Sequence, residues 1–156
     1  MSAPLVIAGK AHDSNDSLPW ERVEARCGRA AIALMEEIAD VLTGVIGAME
    51  EVGYGARDTF AVRVALNEAV INAVKHGHGN DPRKRARISW VVSPSSVRLV
   101  VEDDGAGFDS DRVPDPCLPD NQERPGGRGV SLMLSYMSWV RFNDASNRVV
   151  MCRYRS

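Results

Sequence analysis

Between Ala30 and Val52 apolar residues recur at helical spacing. Ile32, Met35, Ile38, Val41, Leu42, Val45 and Met49 form one stripe, which predicts a helix over 30–52 that Gly44 and Gly47 weaken locally. Upstream, WERVEARC alternates from Trp20, with Val23, Ala25 and Cys27 on one side and Arg22, Glu24 and Arg26 on the other; it reads as a half-buried strand ended by Gly28. GYGARD breaks the chain, and a second helix is predicted from Asp58 to His76, closed by the Gly77 to Gly79 stretch. ARISWVVS and SVRLVVED alternate on either side of Pro94 and Ser95, as a hairpin does. WVRFN and RVVMCRY, joined by DASN, repeat that pattern after a short helix, VSLMLSYM. Strand, helix, helix, two strands, helix, two strands is the order of an α+β two-layer sandwich, a mostly antiparallel sheet with helices on one face.

Two stretches lack a pattern. Residues 1–19 hold one isolated apolar patch, PLVIA, and are expected to be a flexible tail outside a single domain over 20–156. The run DGAGFDSDRVPDPCLPDNQERPGGRG has four prolines, five glycines and almost no apolar content. A loop of that length inside a compact domain is usually a functional lid or disordered, and residues 109–126 are expected to form a lid.

The second helix carries an anomaly. Glu68, Asn72 and His76 sit at four-residue spacing and form a narrow polar line, while Val62, Leu66, Ala69, Val70 and Ala73 make the apolar face. A buried acid without a partner is costly, which favours function: Glu68 is suited to general-base work, and the Asn72 side-chain oxygen is a hard ligand suited to Mg²⁺. The alternative is that Glu68 and Asn72 cap or cross-link buried loops, and for His76, beside His78 at the helix end, that it caps or is solvated.

Composition narrows the partners. A chain of 156 residues, 44% hydrophobic and 26% charged, is long enough to bury a core as one domain. Its net charge of -2 offers no general attraction to nucleic acid or an anionic membrane, so a bound anion must be held by local geometry. Cys27, Cys117 and Cys152 are too few and too scattered for a disulfide framework or zinc site, which implies a reducing compartment. With no signal segment and no apolar run of roughly 20 residues, the expected location is the cytoplasm.

Two further runs supply local geometry. In VVEDDGAGF, Asp103 at a strand end can accept a hydrogen bond from an exocyclic amine, and Gly105 and Gly107 let a ligand lie on the backbone, although an acidic Gly-rich turn would read the same way. In RPGGRGVSLM, Gly126, Gly127 and Gly129 precede a helix whose free N–H groups make an anion site; a tight helix entry is the alternative.

The three motifs in this order resemble the GHKL, or Bergerat-fold, ATP-binding superfamily, with LNEAVINAVKHG as its N box, DDGAGF as its D-x-G-x-G box and GGRG as its G-x-G box. Within it the chain looks like the stand-alone anti-sigma factor serine/threonine kinases of the RsbW-like group, from about Trp20 to Tyr154. The resemblance implies that Glu68 deprotonates an acceptor hydroxyl or water and that Asn72 binds the Mg²⁺ bridging the phosphates of ATP. It also implies that Asp103 binds the adenine amine, that Gly105 and Gly107 line the adenine pocket, and that Gly127, Arg128 and Gly129 cradle the phosphates. The implied partners are a small STAS-type antagonist protein and a sigma factor, with a homodimer common in the family. A sensor histidine kinase is disfavoured, since the stretch before Glu68 holds only one strand and one helix where a two-helix phosphoacceptor domain is needed, and gyrase-, chaperone- or repair-type relatives are not expected because they need transducer domains that 156 residues cannot hold. A nucleotide-dependent binding module, or slow ATPase, is the competing function. The stretch Pro82 to Arg87, PRKRAR, reads as a solvated hairpin edge or, alternatively, a docking site.

Overall fold

The computed structural model describes residues 5–6, 24–77, 79, 81–105 and 127–156, and only these are discussed. Strands β1 (Leu5–Val6), β2 (Glu24–Ile32), β3 (Ala86–Val92), β4 (Ser96–Asp103), β5 (Trp139–Phe142) and β6 (Arg148–Tyr154) form one sheet in the order β1-β2-β3-β4-β6-β5. Every neighbouring pair is antiparallel. Helices α1 (Ile38–Val52), α2 (Ala56–Ile71) and α3 (Gly127–Tyr136) complete the described α+β architecture. Leu5 and Val6, from the patch the sequence leaves isolated, pair with Ala25 and Glu24 at the sheet edge.

The period-two runs pack as expected. Ala86, Ile88, Trp90 and Val92 of β3 and Val97, Leu99, Val101 and Asp103 of β4 are buried, while the residues between them are partly or wholly exposed. The buried rows meet Val45, Met49, Val62, Leu66 and Val70 from α1 and α2 and Met133 from α3 in one core.

The first strand and first helix differ from expectation. β2 does not stop at Gly28 but runs to Ile32, pairing Ala30 with Ile88 and Ile32 with Ala86. Gly28 lies directly opposite Trp90, and a Cβ there would fall 2.2 Å from Trp90 Cζ2. It is therefore a slot for an indole within a strand rather than a strand end. Gly44 of α1 faces the same ring, 3.3 Å from Cζ2 to its ideal Cβ position, so this glycine too trades helix propensity for a close approach. The helix expected from Ala30 starts at Ile38, after a 3₁₀ turn over Met35–Glu37. Glu37 sets the break: its carboxylate accepts the N–H groups of Ala33 at 2.7 Å and Leu34 at 2.8 Å, and these bonds hold its pKa below the usual carboxylate range.

α1 ends at Gly53 in the left-handed conformation, φ 91°. The Tyr54 hydroxyl then donates to Ser93 O at 2.7 Å, and burial pushes its pKa up to about 12. α2 begins two residues earlier than predicted. Asp58, in its first turn, is 2% exposed and holds three donors: Arg153 Nε at 2.7 Å, Ser156 N at 3.1 Å and Ser156 Oγ at 2.9 Å. These bonds fasten the end of the sheet to the start of the helix that carries the polar line.

Candidate nucleotide-binding site

Glu68 and Asn72 lie one turn apart at the C-terminal end of α2, where the helix gives way to a π-helical turn over Asn72–Gly77. The wider turn breaks the four-residue ladder, so the backbone position of His76 leaves the line that Glu68 and Asn72 share. The side chains of His76 and His78 lie outside the description. Glu68 is half-buried, whereas Asn72 is only 7% exposed. Its Nδ2 is the one buried side-chain polar atom without a hydrogen-bond partner among the described residues. Such an atom loses its water and gains nothing in return, a cost of about 1–3 kcal/mol that a ligand can recover.

The glycine run before α3 arrives at this point. Gly129 lies in the first turn of α3, and its missing side chain makes the contact possible: an ideal Cβ there would sit 2.9 Å from Glu68 Oε2, and 3.5 and 3.6 Å from Asn72 Oδ1 and Nδ2. Gly127 is the first residue of α3 and Arg128, beside it, is exposed. Two motifs some 60 positions apart in the chain thus meet, acid and amide on one side and the N-terminal turn of a helix on the other.

The third motif closes the far side. Asp103 ends β4, is 6% exposed, and accepts the Gly105 N–H on Oδ1 at 2.7 Å. Its own N–H donates to Asn147 O at 2.9 Å, and Asn147 Nδ2 reaches Gly105 O at 3.5 Å. Asn72 and Asp103 line one crevice, walled by Ala69, Val101, Met133 and Phe142, with about 10 Å³ of free space. Gly107 and the expected lid, 109–126, lie outside the described residues.

Sequence reasoning passes over three groups here. Asn147 belongs to the β5–β6 turn, which Asn143 ties by accepting the N–H groups of Asn147 at 3.1 Å and Arg148 at 3.0 Å. Asp104 takes the Arg85 N–H at 3.1 Å and Arg87 Nη1 at 2.7 Å, so two residues of the basic stretch brace the turn after Asp103. Exposed Arg83 instead pairs with half-buried Asp81 at 2.9 Å, and this hydrogen-bonded guanidinium holds the Asp81 pKa down at about 2. No signal within a single motif reports the Asp104 and Gly105 partners, because Arg85, Arg87 and Asn147 come from separate strands or turns. Among the described residues no three His, Cys, Asp or Glu side chains cluster as a metal cage, and no helix is long and apolar enough to cross a membrane.

Comparison with known proteins agrees with this arrangement. The family model for the histidine kinase-like ATPase domain matches residues 28–153. The anti-sigma F factor of Geobacillus stearothermophilus is 30% identical over 89 residues, 56% of this chain and 61% of that protein. The serine-protein kinase RsbW of Bacillus subtilis is 30% identical over 115 residues, 69% of this chain and 72% of the relative, and that of Bacillus velezensis is 27% identical over 126 residues, 76% and 79% respectively. The match to the anti-sigma F factors therefore spans under two thirds of their length. With its motifs gathered at one site and its sheet and helices inside the matched range, the chain belongs to the histidine kinase-like ATPase domain family.

Proposed function

We propose that this chain is an ATP-dependent serine/threonine protein kinase of the anti-sigma type, which phosphorylates a small STAS-type antagonist and binds a sigma factor when that antagonist is modified. The observation that carries the reading is the buried, unpartnered Nδ2 of Asn72, a donor suited to a phosphate oxygen, held near Gly129 and one helical turn from Glu68.

The residues have distinct tasks. The first-turn N–H groups of α3 point to where phosphate oxygens would lie, and the helix dipole favours their charge. Asn72 would supply one oxygen toward Mg²⁺, a hard ligand of the kind that ion takes, and the ion would neutralise phosphate charge when bound. The Asp103 carboxylate accepts the adenine amine in the crevice it shares with Asn72. That crevice has room for about one water, so a purine enters only as its walls part. Glu68, half-buried and beside the phosphate end, accepts the proton of the attacking hydroxyl.

The test separates binding from transfer. Glu68→Ala is expected to keep ATP affinity, measured by calorimetry, while phosphorylation of a partner recovered by ATP-dependent pull-down falls by about 10² to 10⁴. Asn72→Ala is expected to weaken Mg²⁺-ATP binding and turnover together. A folded Glu68→Ala protein that phosphorylates the partner at the wild-type rate would replace this reading with that of a nucleotide-dependent binding module.

A further inference from the structure

A kinase needs a means of bringing its acceptor to the base, and resting on the function just proposed, the helical layer supplies one. Phe60, Val64 and Glu68 follow one another at four-residue spacing on α2, and so do Arg128, Leu132 and Tyr136 on α3. Each set therefore forms a straight ladder along its helix. The ladders are joined at both ends. Phe60 meets Tyr136 edge-on with ring centroids 5.6 Å apart, and Gly129, next to Arg128, meets Glu68. Val64 and Leu132, both half-buried, lie at the middle rung of each ladder. The result is a seam with an aromatic pair at one end and the proposed base at the other. Eight residues at 1.5 Å each put the two ends about 12 Å apart.

The seam is apolar where a solvated helix surface is ordinarily polar, since Phe60 leaves 54% of its surface exposed. Glu68 apart, its exposed charges are basic. Arg57, Lys75 and Arg128 are exposed, and no ion pair engages them among the described residues. α3 carries no acid; on α2 the acids are Glu68 itself and Asp58, which is buried against Arg153. An exposed aromatic anchor with Arg57 one turn before it, and Arg128 and Lys75 toward the Glu68 end, complements an acidic partner with an apolar side chain, the charges steering it and the anchor holding it.

We propose that the α2–α3 seam is the docking track for the acceptor protein. It takes an acidic segment that sets a bulky apolar residue on Phe60 and presents its hydroxyl about 12 Å away at Glu68. That distance corresponds to about four residues of extended chain or eight of helix.

Two 18-residue fluorescent peptides test this by polarisation, with and without Mg²⁺ and an ATP analogue. One has a central serine, glutamates on both sides and leucines four and eight residues from the serine; the other has lysine for every glutamate. The glutamate peptide is expected to bind at least tenfold more tightly. Phe60→Ala is expected to weaken it about tenfold, and Arg57→Glu with Lys75→Glu to reverse the preference. Leu134→Ala is the control: this residue is 58% exposed, but two positions before Tyr136 it falls on the opposite flank of α3, and it should change nothing. Equal affinity for the two peptides, undiminished binding by Phe60→Ala, or no binding of either peptide overturns the track. Failure of the wild-type chain to bind the ATP analogue in parallel calorimetry overturns the kinase reading instead, so the two failures are distinguishable.

Discussion

Gly129→Ala adds one methyl group at the point where the first turn of α3 meets Glu68 and Asn72, and the structure says where it goes. The new Cβ falls 2.9 Å from Glu68 Oε2 but 3.5 and 3.6 Å from the Asn72 amide. The latter are ordinary contacts, so Asn72 can stay where it is. The carboxylate must retreat by about half an ångström to restore van der Waals separation, and as the end of a flexible, half-buried side chain it can do so at little energetic cost. Alanine also relieves the helix of a glycine, a gain of up to about 1 kcal/mol. At about 2–4 °C per kcal/mol for a chain of this size, the melting temperature should hold or rise slightly. Catalysis should not be spared, since misplacing a catalytic group by 1 Å can cost about 10²-fold, and half of that shift implies roughly tenfold. Because the methyl points at the acid, nucleotide affinity should change by less than the rate does. Differential scanning calorimetry, isothermal titration with an ATP analogue, and single-turnover phosphoryl transfer measure the three quantities. A variant with full transfer rate, or one whose affinity falls as far as its rate, would refute the placement of Glu68 against α3.

Asp103→Asn should abolish adenine-nucleotide binding in calorimetry, since the amide turns a donor toward the adenine amine where the carboxylate offers only acceptors. Asp58→Ala strands Arg153, which is itself mostly buried, and should cost about 3–5 kcal/mol in urea unfolding. Burial raises the Asp58 pKa, but the hydrogen bonds from Ser156 and Arg153 outweigh it and leave the value lowered; this stabilisation is complete above the unfolded pKa of about 3.9 and is lost as pH falls through the folded value. Acid unfolding followed by circular dichroism should therefore show a weaker dependence below about pH 4 in Asp58→Asn than in wild type. Gly28→Ala drives a methyl to 2.2 Å from a buried indole that has neighbours on both sides, and should destabilise by about 1–3 kcal/mol with a change in tryptophan fluorescence.

Much of the fold is legible in the chain because its signals are local. The two hairpins announce themselves through period-two runs interrupted by Pro94–Ser95 and by DASN, and the observed strands fall within those runs. The three site motifs are legible for the same reason, each being a short run with its own chemistry. Failures occur where one local signal is outweighed by a distant partner. Ala30 to Ile32 continue a helical stripe in sequence, yet hydrogen bonding to β3 claims them for the sheet. Gly28 reads as a stop until Trp90, some 60 residues on, is laid across it.

The sequence by itself thus determined the α+β class, the order of the elements from β2 onward and the three short runs that carry the site motifs, because periodicity, turn chemistry and side-chain chemistry are properties of consecutive residues. Only the tertiary structure decided that Gly129 abuts Glu68 and Asn72, that Asp103 shares a crevice with Asn72, and that Arg87 and Arg85 brace Asp104. It also turned Asp58, an unremarked acid in a helix's first turn, into a buried anchor for the last residues of the chain. These contacts join positions far apart in sequence, and their geometry exists only once the sheet register and the packing of α3 on α2 have brought them within bonding distance.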